Sequence, residues 1–205
     1  MNEHRLSRGF APDDRALAEC RAVASRLVGQ RLVRVEYVNI DYFGWNLGHT
    51  DQTVRRQIAE PAEWSEPAWD AGAFHHLDFG LEFTTADGEL WGVSWDSPGP
   101  DGESITLWPG RVNEVGAVWD VTQREPWRSL IQSEVSQVAL RYHPSDVESG
   151  GFWCTRVSLS FGSTAVEVLL GDRDASGSLV PSADNIAVIV GPTGLPVWER
   201  TDDLV

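Results

Sequence analysis

The chain has no lysine, only two cysteines, and no apolar run near the roughly 20 residues that span a bilayer. Each shortage excludes something. Without lysine, all 16 basic side chains apart from histidine are arginines, set against 31 acidic ones, for a formal net charge of −15. Arginine in place of lysine is what a GC-rich genome produces. The imbalance argues against nucleic-acid binding, because a phosphate backbone repels an acidic surface and is held by cationic side chains. Two cysteines do not make the disulfide framework of a small secreted scaffold, and Cys20 and Cys154 fall at expected core positions in different halves of the chain. Met1-Asn2-Glu3-His4-Arg5 lacks the apolar centre of a secretion signal. A soluble cytoplasmic protein, with neither membrane nor nucleic acid as partner, is the expectation.

Motifs that name a reaction are also missing. There is no Gly-x-Ser-x-Gly, no phosphate-cradling glycine loop and no His-Glu-x-x-His. No cofactor and no catalytic residue is therefore expected, and the reading favours binding over chemistry.

What is present begins with an internal match. Residues 27–38 (Leu-Val-Gly-Gln-Arg-Leu-Val-Arg-Val-Glu-Tyr-Val) and 130–141 (Leu-Ile-Gln-Ser-Glu-Val-Ser-Gln-Val-Ala-Leu-Arg) place aliphatic residues at common offsets, and each leads toward alternating strands. In the first half, Asp13 caps an expected helix to about Val28, with Leu17, Cys20, Ala24 and Leu27 on one stripe and Gly29 at its end. A strand through Leu32, Val35 and Val38 follows, then a Pro/Gly-rich excursion at 41–73. Leu77, Phe79, Leu81 and Phe83 alternate with Asp78, Gly80, Glu82 and Thr84 in an expected strand over 76–85, and Asp87-Gly88 signals a hairpin into Trp91, Val93 and Trp95. Ser104 to Trp108 reads as a further strand. In the second half a short helix holding Trp127, Leu130 and Ile131 precedes strands at about 134–142, 152–162 and 164–170, a polar loop at 171–183, and a last strand through Ile186, Val188 and Val190.

The fold class expected is α+β, built as two tandem similar lobes, each one helix packed on a mostly antiparallel sheet of about four strands. The boundaries are a flexible N-terminus at 1–12, a first lobe at 13–110 carrying the 41–73 insertion, and a second lobe at 111–205.

Several groups are candidates for chemistry. His75-His76 with Asp78 is the densest ionisable cluster; neighbouring strand residues point to opposite faces, so only one histidine can join Asp78, and a metal would need help from His49 or Asp51. An unliganded cluster is the expectation. Cys154 and His143 could form a nucleophile and base, but a buried inert thiol is the expected account of Cys154. Asp78, Glu82, Asp96 and Glu167 lie on or near polar strand faces, where two could meet as general acid and base or merely be solvated.

The chain holds 10 tryptophans. Trp91, Trp95, Trp127 and Trp153 lie in register with aliphatic residues and read as core. Trp45, Trp64 and Trp69 lie in the excursion, among Glu60, Glu63, Glu66 and Asp70. Aromatics flanked by acids serve as anchors in a protein interface, or clamp a loop to its own core. The partner-binding set expected is Trp45, Trp64, Trp69, Glu63, Glu66 and Asp70.

With the matched halves 27–38 and 130–141, the acidity, the tryptophan-rich 41–73 segment and the absence of a catalytic motif together, the chain resembles the immunity proteins of bacterial polymorphic toxin systems and small actinobacterial proteins of that style. The resemblance spans the whole chain in general character and carries over no individual residue. It implies a protein that binds a cognate toxin domain and blocks it. The leading reading is therefore a non-catalytic acidic protein-binding module for a partner with a basic face. Two others stand beside it: a carbohydrate-binding, small-molecule-binding or hydrolytic domain using Trp45 or Trp69 as a platform and Asp78 or Glu82 as acid, and an oligomer-forming structural protein.

Overall fold

The computed structural model describes residues 9–40, 55–58, 69–99, 102–112, 116–145, 150–182 and 184–191. In chain order these form β1 (Phe10–Ala11), α1 (Asp14–Ser25), β2 (Leu32–Asn39), β3 (Arg55–Gln57), β4 (His75–Leu77) and β5 (Gly80–Thr85). Next come β6 (Leu90–Gly99), β7 (Gly102–Pro109), β8 (Gly116–Asp120), a single 3-10 turn (Trp127–Ser129), and β9 (Gln137–Pro144). The chain continues with β10 (Phe152–Phe161), β11 (Thr164–Leu170), β12 (Asp172–Arg173), β13 (Leu179–Val180) and β14 (Ile186–Gly191). No helix among the described residues is long and apolar enough to cross a membrane.

The protein is mostly β, which corrects the expected pair of α+β lobes. Among the described residues α1 is the single α-helix, and the counterpart expected around Trp127 is only the 3-10 turn. α1 forms as its sequence dictates: the Asp13 carboxylate accepts from the Ala16 N–H at 2.8 Å, Leu17, Ala24 and Leu27 are buried, and Gly29 turns the chain with φ of 86°.

Each half contributes a four-stranded antiparallel meander, β2-β5-β6-β7 and β9-β10-β11-β14. These meanders are not lobes, because other strands stitch them together. The first sheet runs β3-β8-β2-β5-β6-β7, and β8 comes from the stretch expected to be a linker. The second runs β1-β10-β11-β14-β4, with β9 also on β10, and takes both β1 and β4 from the N-terminal half. A division at residue 110 thus cuts through both sheets. Their inner faces share one core in which Leu32, Tyr37, Phe83 and Trp91 of the first sheet pack with Val157, Leu159, Val168 and Ile186 of the second.

The expected strand over 76–85 is the clearest case of interleaving. It breaks at Asp78-Phe79, so that β4 pairs with β14 while β5 pairs with β2. Leu77, Leu81 and Phe83 are buried as the alternation requires, but Phe79 at the break is only half-buried against Trp95, with ring centroids 6.0 Å apart. Glu82 departs further, for it is 1% exposed rather than on a wet face. Gly80 and Gly92 have no side chains to hold off the 110–112 segment. A Cβ on Gly92 would stand 2.9 Å from the Gly110 carbonyl oxygen and 3.0 Å from a Val112 methyl. The segment consequently lies across the outer face and covers the carboxylate.

Candidate functional site

β4 is where the two sheets, the end of the excursion and the second half of the chain converge. Its three residues pair with Ile186, Ala187 and Val188 of β14, and His75 also bridges to Asp70. Strand geometry sends the two histidines to opposite sides. His75 turns inward and His76 outward, so each has a separate environment.

On the inner side, His75 joins an aromatic cage. Its Nδ1 lies 2.6 Å from the Tyr37 hydroxyl, and that hydroxyl also accepts from Trp127 Nε1–H at 2.6 Å. The Trp69 ring meets Tyr37 and His75 edge-on at 5.2 and 4.8 Å, and Arg124 lies over its other surroundings at 5.6 Å from the ring centre. Burial lowers the pKa of His75 from the ordinary histidine value, against a smaller opposing pull from the Asp70 carboxylate. Burial raises the Tyr37 phenol, which stays protonated.

On the outer side, His76 Nε2 pairs with Asp172 Oδ1 at 2.8 Å. Asn185 Nδ2–H donates to the other Asp172 oxygen at 3.3 Å and to Asp184 Oδ1 at 3.3 Å. Asp78 completes the cluster. Burial raises its carboxyl above the usual range; His76 opposes this, while the charges of Asp172 and Asp184 add to it. The Trp95 indole fixes the backbone here, its Nε1–H donating to the Asp78 carbonyl at 2.8 Å. The arrangement sets the His76 imidazole among carboxylates at the end of β4. Among the described residues, no group of three or more His, Cys, Asp or Glu side chains is placed to hold a metal ion.

His76 and Asp78 are close enough for their charges to interact although Asp78 lies past the end of β4, whereas the sequence does not single out Asp172, Asp184 and Asn185. Asp172 sits in the expected polar loop, and Asp184 and Asn185 follow directly after it. The signal that locates them is the β11–β14 pairing, which returns residues 171–185 to the sheet end where β4 finishes.

The remaining candidates separate. Cys154 lies opposite Tyr142 and Trp153 opposite His143, so the thiol and the imidazole occupy opposite faces and cannot act as nucleophile and base. Cys154 is buried, with its thiol against the Arg156 carbonyl at 3.4 Å. Glu82 and Glu167 are held in buried ion pairs with Arg55 and Arg156, and Asp96 is exposed. Trp69 is 1% exposed. Its indole clamps the end of the excursion to the core instead of standing out as an interface anchor, while Asp70 beside it is exposed. Trp45, Trp64, Glu63 and Glu66, with His49 and Asp51, lie outside the described residues.

No protein-family model, no curated protein and no solved structure matches the chain.

Proposed function

We propose that the protein is a non-catalytic acidic binding module for a protein with a basic face, a cognate toxin domain of the kind the immunity-protein resemblance implies. The observation that carries this reading is the net charge of −15, from 31 acidic against 16 basic side chains. Arg55 and Arg156 lie inward against Glu82 and Glu167, and Arg15, Arg26, Arg34 and Arg128 are each paired with a neighbouring acid. Asp70, Asp87, Asp96, Asp174 and Asp184 are among the exposed acids. A field of one sign steers an oppositely charged partner and speeds its capture. With Trp69 inside the core, the anchoring role falls to Trp64.

The test is capture of a partner from native cells followed by kinetics on the purified pair. A basic partner is expected, with association slowed by salt and by the double substitution Asp172→Lys, Asp184→Lys. Trp64→Ala is expected instead to speed dissociation and cost about 2 kcal/mol or more. A neutral or acidic partner, or association indifferent to salt, would sink the proposal.

A second reading, a ligand-binding or hydrolytic domain, draws support from one observation: Asp78 is a carboxyl held protonated more readily than usual beside the His76–Asp172 pair. Glu82 drops out as its acid, since Arg55 occupies the carboxylate. A carbohydrate that raises the melting temperature of the wild type and not of Asp78→Asn would favour this reading.

A further inference from the structure

The inner side of β4 contains a proton arrangement with one solution. Trp127 Nε1–H can only donate, so the Tyr37 oxygen accepts from it. Tyr37 has one hydroxyl proton, and among the described residues its remaining hydrogen-bond partner is His75 Nδ1 at 2.6 Å. That nitrogen must be bare. The imidazole is then neutral with its proton on Nε2.

The bond joins different layers, because Tyr37 belongs to β2 of the first sheet and His75 to β4 of the second. β4 itself is short and lies at a sheet edge, held by three register pairs to β14, by the Asp70–His75 bridge and by the His76 N–H donating to the Trp69 carbonyl at 2.8 Å. Trp69, Phe74 and Leu77 of this segment are buried in the core, and the Tyr37–His75 bond adds a polar link to the first sheet.

We propose that His75 is an acid-sensitive latch between the two sheets, whose protonation breaks the bond from Tyr37 and loosens the segment 69–77 from the aromatic cage. A protonated imidazole presents N–H at both nitrogens. Nδ1–H would then share the Tyr37 oxygen with Trp127 as a second donor, and the Tyr37 proton would lose its acceptor among the described residues, in a site where Tyr37 is fully buried. Leaving a buried donor unpaired costs stability, and so does a buried charge.

The groups around the ring decide the direction. Tyr37 from β2 and Trp127 from the 3-10 turn are neutral, and Val188, the register partner on β14, is apolar. Trp69 turns its ring edge-on to the imidazole, and Arg124 adds a positive charge over that indole. Asp70 alone favours the charged form, from an exposed position. The surroundings therefore hold the ring neutral at pH 7, and acid works against the fold.

Two measurements test this. Long-range proton–nitrogen spectra of the wild type, with His75 assigned by comparison with His75→Gln, should show the Nε2–H tautomer at neutral pH. Thermal melts from about pH 7.5 to pH 5 should show a fall in Tm that shrinks in His75→Gln, because glutamine offers Tyr37 a neutral acceptor that does not titrate. Tryptophan fluorescence should change over the same interval in the wild type, as Trp69 and Trp127 lose their packing. A charged ring or the Nδ1–H tautomer at neutral pH would overturn the proposal, as would an unchanged pH dependence of Tm in His75→Gln. Should that variant fail to fold, the tautomer is assigned on the wild type by elimination against His4→Gln, His49→Gln, His76→Gln and His143→Gln and decides alone.

Discussion

Arg55 grips Glu82 with two parallel hydrogen bonds, Nη1–H to Oε1 at 2.9 Å and Nη2–H to Oε2 at 2.7 Å, while the backbone N–H of Val112 donates to Oε1 at 2.8 Å. The pair connects the short parallel strand β3 to the middle of the first sheet, beneath the 110–112 segment. Glu82 is 1% exposed, so removing Arg55 leaves its carboxylate without its counterion in a dry site, whereas removing Glu82 leaves Arg55 beside Glu36 at 3.8 Å. Arg55→Ala should cost about 3–5 kcal/mol in urea unfolding, and Glu82→Ala less, because Glu36 remains beside the guanidinium. Arg55→Met with Glu82→Leu should cost much less than the sum. Additive losses would show that the residues act separately.

The cover over Glu82 depends on Gly92. A methyl there meets the Gly110 carbonyl and Val112, so Gly92→Ala should lift the 110–112 segment and cost about 1–3 kcal/mol, as overpacking does. Hydrogen exchange at the Val112 amide should rise in the same variant. Slow exchange retained there would mean the sheet shifts and the cover stays.

Phe79 and Phe83 separate the two kinds of position that the alternation makes look alike. Phe83 is buried at 1% exposure, and Phe83→Ala should cost about 3–5 kcal/mol. Phe79 has left the core for an edge-to-face contact with Trp95, and Phe79→Ala should cost only about 1 kcal/mol. Equal losses in chemical denaturation would contradict the break at Asp78-Phe79.

Sequence legibility follows the same line. Period-two patterning identifies which side of a strand is apolar, and it does so for Leu77, Leu81 and Phe83; it carries no mark of where a strand passes from one sheet to another. Burial of Glu82 is illegible because its cover arrives from residues 110–112 and its counterion from Arg55, both remote in sequence. His76 and Asp78 are readable as a cluster because they are two residues apart in the sequence. Asp172 and Asp184 are not, since they reach the site only through the β11–β14 pairing. The helix expected near Trp127 fails because one 3-10 turn suffices to deliver that indole to Tyr37.

Asp78 gives a prediction with a definite sign. Burial raises its folded pKa above the unfolded one, so the folded state holds the proton to higher pH, and this group's contribution to stability declines as pH rises through the folded value. Asp78→Asn should therefore raise Tm at pH 7, and the gain should fade as the pH falls below the carboxylate range. A loss at pH 7 would mean that attraction to His76 outweighs burial. His75 has the opposite dependence: its depressed pKa makes stability full above about pH 6.5 and lost as pH falls from there toward the folded value.

The pairing of β4 with β14 also sets a schedule for biosynthesis. Leu77 must meet Ile186, a separation of 109 residues by their numbers, before that edge is complete. At roughly 5–20 residues per second, a nascent chain that has exposed β4 waits on the order of 5–20 s for its partner. During that interval the first meander can form on the ribosome, but Tyr37 lacks a seated His75 and the inner face of the first sheet lacks its cover. The emerging N-terminal half is thus an interrupted folding unit, and chaperone capture would concentrate in the interval after β8 and before β14 leave the exit tunnel.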